Sequence, residues 1–221
     1  SLSKCICLAF DIETAKFNDS ADSLQAPDSL ITCASWTGLR EDGKLITYVL
    51  PFVDFGTDHW VTDEEYERAI QLMRDINKLP MPKVMQNGMY DCVHTLRYHA
   101  EPHNWILDTL GLAHAEYSEL PKSLDFIASY MLHDHMQWKT EAEEASKSKD
   151  IKRYWGYNAK DTWVTMRILI EQLRTQQAYA RTNYADTFKL VYPALYCAFE
   201  GWLIDQDKRL ELRTKSQEIY D

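Results

Sequence analysis

The stretch Cys5-Ile6-Cys7-Leu8-Ala9-Phe10-Asp11-Ile12-Glu13-Thr14 decides the fold of this chain. The run from Cys5 to Ile12 is almost wholly apolar and has the length of one buried β-strand. Alternate residues of a strand point to the same face, so Asp11 and Glu13 can bind one cation together. The alternative is an ordinary charge pair at the end of a strand. The stretch therefore predicts a buried strand that ends in two carboxylates on one face.

Two further motifs each add one acid to this pair. Asp91 closes Gln86-Asn87-Gly88-Met89-Tyr90-Asp91, and Asp161 ends Tyr157-Asn158-Ala159-Lys160-Asp161. Two carboxylates about 4 Å apart repel each other by roughly 4 kcal/mol at an effective dielectric constant of about 20. A fold keeps such a cluster mainly when divalent cations neutralise it, and ligands that are all oxygen favour Mg²⁺ or Mn²⁺. Because two such ions about 3.5–4 Å apart can cleave phosphodiesters, the acids predict a two-ion site.

Each of two patterns occurs a second time in the chain. Asp63-Glu64-Glu65 has the spacing of the first pair, but it is typical of the acidic first turn of a helix, where residues i and i+2 point apart. Tyr130 and Asp134 have the spacing of Tyr157 and Asp161, but Asp134 lies where the helical pattern decays. We therefore select Asp161, which we place in the first turn of a long amphipathic helix. The alternative for Tyr157 is packing under the sheet.

Composition narrows the class of protein. With 221 residues, 45% hydrophobic and 12% aromatic, the chain is expected to form one ordinary domain with a real core. Its five cysteines are odd in number and form no C-x-x-C pair, which disfavours disulfides and zinc and favours a reducing compartment. No apolar run has the length of a membrane helix, and Ser1-Leu2-Ser3-Lys4 does not begin a signal peptide, so we expect no membrane association. The net charge of −10 is unusual for a protein that binds DNA, although the acid cluster accounts for part of it.

The remaining patterns predict an α/β fold whose acids lie at the edge of a mixed sheet. We expect a hairpin formed by Leu30 to Trp36 and Leu45 to Leu50, and a short strand from Lys83 to Gln86. The segment from His133 to Lys149 is expected to be a loop or a frayed helix. The predicted helices run from Asp63 to Lys78 with Thr62 as the cap, from Met89 to His99, from Trp105 to His114, from Pro121 to Leu132 and from Asn158 to Arg174.

Taken in order, the three motifs resemble the Exo I, Exo II and Exo III segments of the DEDD superfamily of 3′→5′ exonucleases, over the range Lys4 to Gln177. The resemblance implies a ribonuclease H-like α/β fold, a mixed β-sheet flanked by helices. It selects the tyrosine branch, because the histidine branch would have His five residues before Asp161, where this chain has Gly156. Gln86-Asn87-x-x-Tyr90-Asp91 is similar to the second motif of family A DNA polymerases, the polymerase I type. Tyr157-Asn158-x-x-Asp161, followed by Val164-Thr165, looks like the phage members.

The resemblance also implies a role for each site residue. Asp11, Glu13 and Asp161 would hold one Mg²⁺ or Mn²⁺ ion and generate the attacking hydroxide, Asp11 would bridge to a second ion with Asp91 in its shell, and Tyr157 would orient the nucleophilic water. The product would be a nucleoside 5′-monophosphate released from a 3′ end. Phe17 would form a wedge beside the terminal bases, on which an aromatic ring can stack. The full set of positions matched to substrate contacts is Thr14, Phe17, Asn87 and Tyr90.

The C-terminal part resembles the same polymerases. Val191-Tyr192-Pro193-Ala194-Leu195 and the stretch from Phe199 to Asp205 are similar to the junction between exonuclease and polymerase. This resemblance implies that Asp207 to Tyr220 forms the first helix beyond the junction. We therefore expect an exonuclease domain in residues 1–180 and a helical junction in residues 181–221 that leads to the polymerase domain of a parent chain; the alternative is a helical cap. The expected partner is a single-stranded or frayed 3′ end of DNA, bound by a monomer in the cytoplasm of a bacterial or phage-infected cell, or in an organelle.

These observations predict a proofreading 3′→5′ exodeoxyribonuclease, and two other functions stay open. An RNA-processing exonuclease of the ribonuclease D type would belong to the same tyrosine branch, but the helical module that usually follows the nuclease there is not evident after Asp205. A non-catalytic module could keep the fold to hold nucleic acid, but degenerate domains usually lose an acid, and all four acids are present.

Overall fold

The computed structural model describes residues 1–15, 30–55, 57–134, 137–201 and 205–220. Phe17, the predicted wedge, lies outside these ranges, as do residues 202–204 of the predicted junction.

One mixed sheet organises the described residues. The strands are β1 (Cys5–Ala15), β2 (Leu30–Arg40), β3 (Leu45–Pro51), β4 (Val53–Asp54), β5 (Thr57–Asp58), β6 (Lys83–Met85) and β7 (Trp105–Asp108). Within the described ranges, five of them form a sheet in the order β3-β2-β1-β6-β7, while β4 and β5 form a separate hairpin. β1 is antiparallel to β2 and parallel to β6. The strand that carries Asp11 and Glu13 therefore lies at the centre of the sheet.

Helices flank the sheet and continue beyond it. They are α1 (Asp63–Asn77), α2 (Met89–Leu96), α3 (Thr109–Glu116), α4 (Leu124–Met131), α5 (Glu141–Ser148), α6 (Ile151–Thr175), α7 (Ala178–Phe188), α8 (Val191–Glu200) and α9 (Gln206–Tyr220). Among the helices of the described segments, none combines the length and the apolarity that crossing a membrane requires.

The position of β1 explains why its sequence is an unbroken apolar run. Leu8, Phe10 and Ile12 pack on one face of the sheet with α1 and α2. Cys7 and Ala9 pack on the opposite face with α3 and α6. A strand covered on both faces needs apolar side chains at successive positions. The same alternation carries Asp11 onto the face that α6 covers.

Several predicted elements are confirmed. β2 and β3 pair around the predicted turn, in which Gly43 has a φ of 78°. α1 begins after Thr62, whose hydroxyl accepts the Glu65 N–H while the Glu65 carboxylate accepts the Thr62 N–H. This reciprocal cap satisfies two backbone donors at the start of the helix. All five cysteines are free, as the sequence predicted.

The predicted helix over residues 105–114 is wrong in its first part. Its first four residues form β7, which pairs in parallel with β6. α3 begins only after Asp108, whose Oδ1 accepts the N–H groups of Leu110 and Gly111 at 3.0 and 3.3 Å. A short apolar run has no period that separates a buried strand from a helical turn, so pairing with β6 decides the outcome.

The starts of two later helices also differ from the prediction. α4 begins at Leu124 and not at Pro121. The segment before it is held outside the helix because Gln86 Nε2 donates to the Lys122 carbonyl at 2.7 Å. α6 begins about two turns earlier than predicted, where the Asp150 carboxylate accepts the Arg153 N–H at 3.1 Å. The acid of the third motif therefore lies in the third turn of α6 and not in the first.

Two smaller differences concern α2 and α5. α2 ends at Leu96, before the expected His99. α5 forms within the segment predicted as a loop or a frayed helix. Ion pairs of Glu141 with Lys160 and of Glu144 with Arg153 hold it against α6. These pairs join residues far apart in sequence, so local patterns do not show them.

α7 and α8 are anchored on β7. The Tyr184 hydroxyl donates to the Ile106 carbonyl at 3.0 Å and accepts the Asp108 N–H at 2.8 Å. The Tyr192 hydroxyl donates to the Trp105 carbonyl at 2.6 Å. Both helices thus pack directly against the sheet, while the proposed boundary at residue 180 stays a prediction.

Candidate active site

Three of the four predicted acids meet where β1 faces α6. One ligand oxygen from each of Asp11, Glu13 and Asp161 lies within 4.8 Å of the other two. Asp161 is buried, and the other two side chains are half-buried. Asp161 faces the sheet because it belongs to a stripe of buried residues at helical spacing along α6: Tyr157, Asp161, Val164, Ile168 and Gln172. The strand period and the helix period together produce the cluster.

Asp91 lies outside this group of three and fastens α2 to β1. Its Oδ1 accepts the Ile12 N–H at 3.0 Å, and its side chain is buried in the first turn of α2. Ile12 stands between Asp11 and Glu13 in the strand, so this bond places the fourth carboxylate beside the pair. Burial raises the pKa of Asp11 well above its usual range, and repulsion from Asp91 and Asp161 adds to the effect.

Burial and mutual repulsion make it unfavourable for all of these carboxyls to be charged. Burial raises the pKa of Glu13 to about 8, and repulsion from Asp161 is the next largest cause. Burial likewise raises the pKa of Asp91 to about 8, against the hydrogen bond from Ile12, which lowers it. A nearby cation favours the charged form of a carboxyl. The site is therefore one that a cation would stabilise.

Two neutral donors orient the carboxylates. The Asn158 Nδ2 donates to Asp11 Oδ2 at 2.7 Å, and the Trp138 Nε1 donates to Asp161 Oδ1 at 2.6 Å. Asn158 is fully buried, and its backbone carbonyl accepts the Ser35 hydroxyl at 3.0 Å. Buried donors of this kind fix the direction of a carboxylate oxygen before any ligand arrives.

Lys139 and Tyr157 complete the polar contacts of Asp161. The Lys139 Nζ lies 2.9 Å from both oxygens of Asp161 and 3.1 Å from the Tyr157 hydroxyl. Burial raises the pKa of Tyr157 far above its ordinary value, and the charge of Asp161 adds to the effect. The Tyr157 hydroxyl therefore keeps its proton and can donate a hydrogen bond.

A groove of about 640 Å³ opens beside the acids, a volume in the range of small-molecule sites. Of the predicted substrate contacts, Asn87 lines this groove. Thr14 and Tyr90 are brought together instead with each other, because their hydroxyl oxygens lie 2.6 Å apart. The described lining consists of Asp11, Gln86, Asn87, Leu110, Lys122, Ser123, Leu124, Asp125, Lys139 and Asp161.

Asp108 supports the turn that presents Asn87 to the groove. Its two oxygens accept the N–H groups of Asn87 and Gly88 at 3.1 and 2.9 Å. Asn87 has a φ of 60°, in the left-handed region that Asn tolerates better than most residues. A Cβ on Gly88 would lie 2.6 Å from the Cβ of Met85, which explains the glycine.

Four residues of this site were not predicted from the sequence: Asp108, Trp138, Lys139 and Asn158. Asp108 stands before the first residue of a helix, and an acid at that place is a cap signal that sequence alone offers. Asn158 lies inside a motif that the sequence analysis quoted, but spacing does not tell which side chain contacts Asp11. Trp138 and Lys139 lie in a polar segment without periodicity, so only the tertiary path of that segment brings them to Asp161.

The residues of the cluster fit a divalent cation of the Mg²⁺ or Mn²⁺ class. The three clustered carboxylates supply hard oxygen ligands close enough to share one ion. The raised pKa of Glu13 and Asp91 has burial as its main cause, and charge neutralisation would oppose it. Asp11, Glu13 and Asp161 are the residues that would hold the ion.

No protein-family model matches the sequence, and no curated protein matches it. A nuclease solved in its apo form has a TM-score of 0.62 at 10% identity, over 89% of this chain and 86% of that chain. The polymerase domain of Pol1 from M. smegmatis, in complex with DNA primer-template and dNTP, has a TM-score of 0.60 at 13% identity, over 98% of this chain. RNase D from Escherichia coli, an exoribonuclease involved in structured RNA processing, has a TM-score of 0.52 at 17% identity, over 91% of this chain.

These likenesses concern the fold. The chain spans 32% of the polymerase chain and 47% of RNase D. At such low identity a common architecture is what the comparison establishes. The predicted α/β fold, a ribonuclease H-like mixed sheet flanked by helices, is confirmed.

Proposed function

We propose that this chain is a metal-dependent 3′→5′ exonuclease that hydrolyses the last phosphodiester of a DNA strand and releases a nucleoside 5′-monophosphate. The observation that carries the proposal is the convergence of Asp11, Glu13 and Asp161, whose ligand oxygens lie within 4.8 Å of one another. Asp11 and Glu13 belong to the central strand β1, whereas Asp161 belongs to α6, which is distant from β1 in the sequence. The repulsion between these carboxylates destabilises the fold unless a bound cation neutralises them.

The chain's own residues prepare the site for hydrolysis. Asp11, Glu13 and Asp161 would hold Mg²⁺ or Mn²⁺, with Asp91 beside them. When bound, such an ion activates a water and stabilises the charge on the departing oxygen. Asn158 and Trp138 fix the oxygens of two carboxylates by hydrogen bonds of 2.7 and 2.6 Å.

Two further features would position the substrate. The protonated Tyr157 hydroxyl would donate a hydrogen bond that orients the attacking water. The groove of about 640 Å³ beside the acids would hold the terminal nucleotide, with Asn87 at its edge. Phe17, Thr14 and Tyr90 stay proposals as substrate contacts.

Assignment to the proofreading domain of a family A DNA polymerase rests on the motifs and on the extent of the structural likeness. The likeness to the Pol1 polymerase domain extends over 98% of this chain, against 91% for RNase D. This likeness thus includes the C-terminal helices, whose sequence resembles the polymerase junction. We propose the 3′ end of DNA as the substrate and the polymerase domain of a parent chain as the partner.

RNA is the second candidate substrate. The likeness to RNase D, an exoribonuclease, covers 91% of this chain with a TM-score of 0.52. A direct comparison of the two substrates is therefore part of the test.

The test uses single-stranded DNA and RNA of one sequence, each labelled at the 5′ end, with Mg²⁺, with Mn²⁺ and with chelator. We expect a ladder that shortens by one nucleotide at a time on DNA, and no cleavage in chelator or with Asp161→Asn. Asp186→Asn is the matched control, because Asp186 is exposed and pairs with Lys189 away from the acids. Faster cleavage of RNA would favour the second candidate. Cleavage by Asp161→Asn at a rate near that of the wild type, or no cleavage by the wild type under any condition, would refute the proposal.

A further inference from the structure

Lys139 engages the acid cluster in an unusual way. Its ammonium is equidistant, at 2.9 Å, from the two oxygens of Asp161. It also lies 3.1 Å from the Tyr157 hydroxyl and 5.1 Å from the centre of the Tyr157 ring. The ammonium therefore contacts both oxygens of a carboxylate that could bind a metal ion, and Oδ1 also accepts the Trp138 indole N–H.

The electrostatic role of Lys139 extends beyond its direct partner. Its charge lowers the pKa of Asp11 and of Glu13, opposing the burial that raises both. Asp161 keeps only 7% of its side-chain surface exposed, whereas Lys139 keeps 35%. The Asp161 carboxylate is thus fixed in the core. The Lys139 ammonium is at the end of a flexible side chain, which can move without unfolding the site.

The groove offers this ammonium a second position. Lys139 lines the same cavity as Asn87 and Lys122, which is where a substrate phosphate would lie under the proposed function. A lysine ammonium is a compact charge with rotatable donors and binds phosphate readily. Displacement from Asp161 would leave it within the groove.

On the basis of the proposed function, we infer that Lys139 is a resident counter-ion that competes with the divalent cation for Asp161 and, once displaced, contacts the phosphate of the substrate. A metal ion that binds either oxygen of Asp161 would have to displace the ammonium from that oxygen. The two cations would also repel each other at this distance. Metal-free protein would be protected from the repulsion of its acids, at the expense of metal affinity. Loaded protein would gain a cation directed at the substrate.

The first test measures Mn²⁺ binding by titration calorimetry without nucleic acid. We expect Lys139→Met to bind Mn²⁺ more tightly than the wild type, because the ion no longer displaces an ammonium from Asp161. The expected gain in affinity is about tenfold, since a partly exposed ion pair contributes less than a buried one. Lys122→Met is the matched control. It removes the same charge from the same groove, but Lys122 donates to the Tyr117 and Ser118 carbonyls and contacts none of the acids described here. Its affinity for Mn²⁺ should stay within about twofold of the wild-type value.

The second test follows stability and turnover. In EDTA, Lys139→Met should unfold at a lower temperature than the wild type, and saturating Mn²⁺ should remove the difference. At saturating Mn²⁺ the variant should degrade DNA about ten- to a hundredfold more slowly, as expected for the loss of one positioned charge at a phosphate. Tighter metal binding combined with slower turnover is a pair of effects that a merely structural lysine would not produce.

The outcomes separate this inference from the proposed function. If Mn²⁺ binds wild type and Lys139→Met equally, or binds the variant more weakly, Lys139 is not a competitor and the inference fails alone. If neither protein binds Mn²⁺ or Mg²⁺, the proposed function fails first. Should Lys139→Met not fold, Lys139→Gln and a nuclear magnetic resonance titration of the wild type replace it. For this titration the lysines of the wild type are dimethylated, and the methyl signal of Lys139 must shift on addition of Mg²⁺. A signal that stays constant overturns the inference.

Discussion

At the scale of single residues, Asp11 and Asp161 differ in the charge of the groups that contact them. Asp11 accepts a neutral donor from Asn158 and is repelled by Asp91, Asp161 and Glu13. Asp161 instead has the Lys139 ammonium on both of its oxygens. Removing one charge therefore relieves repulsion at Asp11 but breaks an ion pair at Asp161.

This difference predicts that Asp11→Asn and Asp161→Asn affect activity alike and stability differently. Both should lose roughly 10³-fold or more in the rate of hydrolysis, as is typical when a metal ligand is removed. In EDTA, Asp11→Asn should be more stable than the wild type and Asp161→Asn less stable, each by about 1–2 kcal/mol. Urea unfolding gives the free energies, and gel assays give the rates. Near wild-type activity in either variant would contradict the site.

Tyr157→Phe should separate positioning from metal binding. The hydroxyl is 3.1 Å from Lys139, and burial keeps it protonated by raising the pKa of the phenol. Loss of an orienting hydroxyl should slow hydrolysis by about 10²-fold. Calorimetric titration with Mn²⁺ should give the same affinity as the wild type. A fully active variant would mean that Tyr157 only packs against its neighbours.

Glu13 predicts how the stability of the metal-free protein depends on pH. Burial raises its pKa from 4.5 to about 8, so over this range the folded state holds a proton that the unfolded state has released. The free energy of unfolding should therefore fall as the pH rises through this range, by up to about 1.4 kcal/mol per pH unit for one proton. Glu13→Gln should flatten the dependence in urea unfolding with EDTA. An identical slope in both proteins would count against the raised pKa.

At the scale of elements, the ends of strands and helices are what place the site. Asp108 ends β7, caps α3 and accepts the N–H groups of Asn87 and Gly88. Asp91 joins α2 to β1, and Trp138 joins the segment before α5 to α6. Single side chains at these ends therefore fix the relative positions of whole elements.

Asp108→Ala should destabilise the protein more than the loss of an ordinary cap. It removes four backbone contacts at buried or half-buried positions, so we expect a loss of about 2–4 kcal/mol in the free energy of unfolding. Thr62→Ala is the control, because Thr62 caps α1 at an exposed position and should cost about 1 kcal/mol. Urea midpoints for the two variants give the comparison. Equal losses would show that Asp108 acts only as the cap of α3.

At the scale of the whole molecule, charge would limit the binding of nucleic acid under the proposed function. The net charge is −10, because 34 acidic side chains outnumber 24 Lys and Arg side chains, so binding is expected to release few of the counterions of phosphates. Under the proposed function, the groove of about 640 Å³ beside the acids would hold the end of a strand and not a duplex. A paired end must be melted before it enters, at about 1.4 kcal/mol per base-pair step.

These properties predict an order of substrates. Single-stranded DNA should be degraded faster than a duplex with a mismatched 3′ end, and that duplex faster than a matched one. Binding should be weak for all three and weaker at higher salt. Rates measured at two salt concentrations, with the same 5′ label on each substrate, decide the matter. Tight binding of blunt duplex, or equal rates on the three substrates, would argue against a proofreading role.

The sequence alone determined the α/β class of the fold and singled out the acids of the candidate site. The apolar run from Cys5 to Ile12 predicted a buried strand, and the alternation of side chains along a strand put Asp11 and Glu13 on one face; the structure has β1 there. The helical pattern after Asn158 predicted a long amphipathic helix that carries Asp161, and α6 is that helix, although it begins earlier than predicted. These inferences succeeded because strand and helix periods are local properties, and a buried face demands apolar residues at fixed intervals.

Only the tertiary structure decided which elements meet and which side chains act together. Residues 105–108 form a strand because β6 offers a partner, although their composition also suits a helix. Lys139 and Trp138 lie in a polar segment without periodicity, and they contact Asp161 only because α5 is held against α6. Asn158 contacts Asp11 across the interface between β1 and α6. Contacts between residues distant in sequence depend on the packing of whole elements, and no local pattern in the chain records that packing.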